Sequence, residues 1–251
     1  MIDIKLFMAL AILFLALMGG FLPFKIKKKY NNPHAFDFPV GESIACGVFL
    51  GAGLIHMLGD SAQGFMAAGC QYPFAFLIAG SSFLGLLLLE HLGSELQEQG
   101  PSASKSIALL SVVMLSIHSL FEGAALGMSG EIFTSLILGF AIIAHKWVAS
   151  FSLSLQINKS ALKFWPGVLC FLFFAFMTPV GIFLGHLVNQ TTGSHPLWTP
   201  IFSALAAGTF LYIGTLHGLG RATMIHRCCN MREFLFMILG FAVMAVVALW
   251  T

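Results

Sequence analysis

Eight runs of about twenty mostly apolar residues follow one another along this chain, and that succession limits what it can fold into. They cover roughly 3–24, 42–64, 72–92, 104–128, 132–156, 164–188, 198–219 and 232–250. At about 1.5 Å of rise per residue, each run is long enough to cross the hydrocarbon core of a bilayer as a helix. In that core a backbone must satisfy its own hydrogen bonds, which a helix does within one segment. The expectation is an all-α, polytopic membrane protein in which residues 1–251 form one transmembrane domain. Composition excludes the soluble alternative. The chain is 58% hydrophobic and 9% charged, whereas a soluble domain carries about 25% charged residues. A net charge of +2 gives no footprint for nucleic acid. The five cysteines contain no C-x-x-C pair, and Cys46 and Cys170 lie in apolar runs as small hydrophobes. The first run is too long for a signal peptide and lacks a basic leader, so it reads as a retained helix.

The basic residues orient the spans. Lys25, Lys27, Lys28, Lys29, Lys105, Lys159, Lys163, Arg221, Arg227 and Arg232 fall at one set of alternate connections, and only Lys5 falls at the other. Cytoplasmic connections collect Lys and Arg, so both termini are expected on the extracellular or lumenal side.

Ionisable residues at bilayer depth are costly, and each needs a reason. His118, Glu122 and His145 sit mid-span. The first two are spaced i, i+4 and share a helix face. A short turn around Gly130 makes the helix of His145 their antiparallel neighbour. Counted from that turn, the three lie roughly 18, 12 and 22 Å deep. Two imidazoles and a carboxylate suit Zn²⁺, with water completing the set, and the same donors accept Fe²⁺. A single membrane histidine is more often part of a polar network between helices. Convergence of three donors favours a metal or proton pathway. Lys146 is a further mid-span cation. His56 and Asp60, also i, i+4, lie in the outer half of the second run, while Glu90, His91 and His217 lie at inner helix ends. A membrane-embedded zinc hydrolase is the competing class, but it usually needs a third histidine and a separate base, and no H-E-x-x-H occurs. A haem carrier with His118 and His145 as axial ligands would have Glu122 as an odd neighbour.

Several stretches resemble one family. LSIHSLFEGAALGMSGE (115–131) and IIAHKWVASFSLSLQI (142–157) are similar to the fourth and fifth helices of the ZIP (Zrt-, Irt-like) metal transporters, in the branch with H-S-x-x-E-G and H-K. GVFLGAGLIHMLGDS (47–61), FMTPVGIFLG (176–185) and AAGTFLYIGTLHGL (206–219) resemble its second, sixth and seventh. The resemblance implies an eight-helix transporter rather than an enzyme. It would move zinc, or iron, toward the cytoplasm by alternating access, with the ion as substrate and no prosthetic group. Such a protein belongs in the cell membrane or a vesicle membrane. His118, Glu122 and His145 match the ligand positions, and Ser119 and Lys146 fall where many relatives bind a second metal. Lys146 departs from the carboxylate of other branches, so a second ion is not expected, and the ammonium stands in for it or pairs with Glu122. Ala149 and Ser203 replace carboxylates, and His217 stands where relatives often carry Glu. Loop 93–103 has no histidine run. Relatives often form homodimers, but no interface signature is readable here.

Overall fold

The computed structural model describes residues 2–29, 38–95, 101–160, 162–192, 195–215 and 231–249. Eight helices run through them: α1 (Ile2–Lys29), α2 (Pro39–Ala67), α3 (Phe74–Glu95), α4 (Pro101–Met128), α5 (Ile132–Lys159), α6 (Phe164–Thr192), α7 (Trp198–Tyr212) and α8 (Met231–Val247). No strand occurs among the described residues. The first six are long and apolar enough to cross a membrane, while the described parts of α7 and α8 are 15 and 17 residues long. The helices outrun their apolar cores because basic residues continue them into the interface. α1 ends in Lys25–Lys29 and α5 in Lys159. Pro39 starts α2 with a pre-set φ and no N–H to leave unpaired. Within α2, Ala52–Met57 winds as a π-helix. Large apolar side chains such as Phe7, Phe14, Phe133, Trp165 and Phe183 are exposed and form a lipid-facing coat.

The helices sort into two groups. α1, α4, α5 and α6 pack together, as do α2, α3, α7 and α8, and the main contact between the groups is α4 against α7. Within each group glycines bring backbones together. Gly123 and Gly127 of α4 press on the backbone of α6, and Gly181 and Gly185 of α6 press back on α4. Gly47 and Gly240 do the same between α2 and α8, Gly19 between α1 and α5, and Gly208 between α3 and α7. A Cβ at any of these positions would collide with a neighbouring carbonyl. Without a hydrophobic drive between helices in lipid, such close packing is a main source of cohesion. None of these close glycine-to-backbone contacts crosses the boundary between groups.

The ends of the bundle differ. At the end carrying Lys159, Glu42 of α2 pairs with Lys159 of α5, and Phe38 meets Phe151 edge to face at 6.2 Å. At the opposite end a cavity of about 440 Å³ opens between the groups, lined by Asp60, Gln63, Ser129, Glu131, Thr199 and Ser203 among others. There the buried ammonium of Lys5 donates to the carbonyls of Gly127 (2.6 Å) and Ser129 (2.9 Å). It satisfies acceptors that the end of α4 would otherwise leave orphaned.

Candidate metal centre

α4 presents His118 and Glu122 one turn apart, and α5 brings His145 beside them. All three are buried, and one donor atom from each lies within 4.8 Å of the others. His145 Nε2 contacts Glu122 Oε1 directly. His118 Nε2 stands 3.9 Å from Glu122 Oε2, and neither of these two atoms makes a hydrogen bond. A buried carboxylate oxygen and imidazole nitrogen without partners are expensive, so such a pair calls for an explanation. A dication between them supplies one, and the nitrogen–oxygen donor set fits zinc.

The far side of His118 is fully engaged. Its Nδ1 lies 2.7 Å from Thr209 Oγ1 and 3.2 Å from the Ala206 carbonyl. Phe210 stacks on the same ring at 3.6 Å with 16° between planes, and its edge meets His145 at 5.0 Å. Sequence reasoning missed Thr209 and Phe210. Their one signal was a place in a stretch with a family likeness.

Beside the trio, Lys146 Nζ donates to Ser119 Oγ (2.7 Å) and Thr178 Oγ1 (2.6 Å). It stands 4.5 Å from the centre of the Phe174 ring and 3.9 Å from Glu122 Oε2. The ammonium therefore lies beside Ser119 and within ion-pair distance of the Glu122 carboxylate. The outlying residues are dispersed. His56, buried in the π segment, pairs with Asp60 at 2.8 Å, and Asp60 reaches the cavity. Glu90 of α3 accepts a hydrogen bond from the buried Tyr212 hydroxyl of α7. His91 is exposed at the end of α3. His217, with Arg221 and Arg227, lies outside the described residues.

An all-helical membrane bundle with a buried His–Glu–His cluster defines a class, the polytopic metal carriers, and comparison with known sequences gives the family. The profile described as "ZIP Zinc transporter" matches residues 2–106 and 93–248, so the chain belongs to that family and is a multi-pass membrane transporter of divalent metal ions, not an enzyme. The mouse protein "Zinc transporter ZIP2" is 28% identical over 100% of this chain and 99% of its own length. The human "Zinc transporter ZIP2" is 27% identical over 100% and 99%. "Zinc transporter 1" of Oryza sativa subsp. japonica is 27% identical over 100% and 84%. Nothing in these likenesses favours the hydrolase alternative.

Proposed function

We propose that the chain carries Zn²⁺ across the cell membrane toward the cytoplasm, binding it at His118, Glu122 and His145 and exposing it to each side in turn. The observation that carries this reading is the pair of hydrogen-bond-free donor atoms, His118 Nε2 and Glu122 Oε2, buried beside His145. The whole chain acts as one transport domain with both termini outside, as the distribution of basic residues supports. The cavity near Asp60 receives the ion from outside, and the His56–Asp60 pair is an acidic waypoint there. Glu90 and His91 mark the cytoplasmic side of the path, and His217 is assigned to it by its place in the sequence alone. One group of helices slides against the other between the two states, because the contact across their boundary lacks the backbone interlocking found within each. The tethered ammonium of Lys146 takes the place of a second ion and keeps affinity moderate, as a carried ion must also leave. The names of the relatives support zinc over iron as the cargo.

The test is zinc-65 uptake into proteoliposomes holding wild type or His118→Ala. The substitution is expected to reduce uptake to that of empty liposomes. Uptake at the wild-type rate would discard the ligand assignment. Iron-55 in parallel decides the metal.

A further inference from the structure

α7 gives no ligand to the centre, yet it holds one. The Thr209 hydroxyl has a single hydrogen, and its oxygen lies 2.6 Å from the Ala206 carbonyl, which can only accept. That hydrogen is therefore committed, and toward His118 the Thr209 oxygen acts as an acceptor. Both groups facing Nδ1, Thr209 Oγ1 at 2.7 Å and the Ala206 carbonyl at 3.2 Å, are then acceptors. The imidazole must carry its proton on Nδ1, which leaves the Nε2 lone pair turned toward Glu122. Phe210, stacked at 3.6 Å, fixes the plane of the ring. All three features belong to α7, in one helix group, while His118 belongs to α4, in the other.

We propose that Thr209 is a positioning residue that sets the tautomer and aim of His118 from the opposite helix group, so that affinity for the cation depends on the two groups being docked. The inference rests on His118 being a ligand. While α4 lies against α7, Nε2 is presented ready to bind. When α4 moves along α7, Nδ1 loses its acceptors and the ring regains its freedom to turn and to exchange tautomers. Binding then weakens at the stage where the ion must depart. Outer partners of this kind are worth about 10–100-fold in metal affinity. The low end applies here, because the Ala206 carbonyl remains when the hydroxyl is removed.

The test compares full-length wild type, Thr209→Val and Thr209→Ser with Zn²⁺ as the probe, by equilibrium binding in detergent and by uptake into proteoliposomes. Thr209→Val is expected to raise both the dissociation constant and KM about 10-fold, with a smaller change in maximal rate, and Thr209→Ser to restore them. A merely structural role would lower the maximal rate through loss of folded protein and leave KM in place. Nitrogen-15 NMR of labelled histidine is expected to find the His118 proton on Nδ1 in the metal-free wild type. An Nε2-protonated ring there would overturn the inference even if Thr209→Val failed to fold. So would wild-type affinity in Thr209→Val while His118→Ala binds no zinc, an outcome that spares the ligand assignment. Wild-type zinc binding by His118→Ala would remove that assignment, and this inference with it.

Discussion

α4 meets its two main neighbours in different ways. Toward α6 it offers Gly123 and Gly127, and α6 answers with Gly181 and Gly185, so the two backbones touch. Toward α7 it offers His118, held by a hydroxyl, a carbonyl and an aromatic face. The first contact leaves no room for a side chain, since carbonyls sit where a Cβ would be. The second consists of side-chain interactions that can be broken and remade. In the proposed mechanism this difference makes α4 with α6 part of one unit that slides on α7, with the proposed ion site at the edge of that unit.

Substitutions at three places would break or sharpen this contrast. The largest effect is expected from Gly123→Val, whose added carbon runs into the Thr178 carbonyl and the backbone of Gly181 and Ile182. Overpacking of this kind costs about 3 kcal/mol. Thermal unfolding in detergent should show a large drop in midpoint, while Thr209→Val, at the contact between α4 and α7, should cost only about 1 kcal/mol. Equal melting of the two variants would erase the distinction between the interfaces. Next comes Lys146→Met. It keeps the bulk and removes the charge 3.9 Å from Glu122 Oε2. Zinc should bind several-fold more tightly and leave more slowly, as calorimetry and single-turnover release would report. Weaker binding would refute the role of a tethered counter-cation. The smallest effect belongs to the Glu42–Lys159 pair, which joins the groups at the end opposite the cavity and is part-exposed. Such pairs contribute about 0–1 kcal/mol. Glu42→Gln should change maximal uptake by no more than about 5-fold, and the exchanged pair Glu42→Lys with Lys159→Glu should recover the wild-type rate. Failure of the exchange would mean that the pair does not fasten the closed end.

The helices could be read from the sequence because bilayer thickness turns apolar length into structure, and apolar length is a property of the sequence itself. The clustering of His118, Glu122 and His145 could be read because ionisable side chains at that depth are costly and call for partners. Thr209 and Phe210 escaped notice for the opposite reason. A hydroxyl and an aromatic ring are cheap in a membrane helix, and only a partner 91 residues away in sequence gives Thr209 its meaning. Glu90 was legible as an ionisable residue near a helix end, but its bond to Tyr212 was not, since no spacing rule links α3 to α7. The grouping of helices was equally hidden. Glycines are abundant throughout, and the sequence does not say which of them face a partner.

The π winding of α2 has a consequence for phase. A turn of this kind holds roughly one residue more than an α turn, and one residue rotates the downstream part of the helix by about 100°. The half of α2 beyond Met57 is therefore out of step with the half that packs on α8. Asp60 lies beyond that slip and lines the cavity. Removing one residue from Ala52–Met57 would let the helix wind evenly again, and would swing Asp60 away from the cavity while leaving the first half of α2 in register.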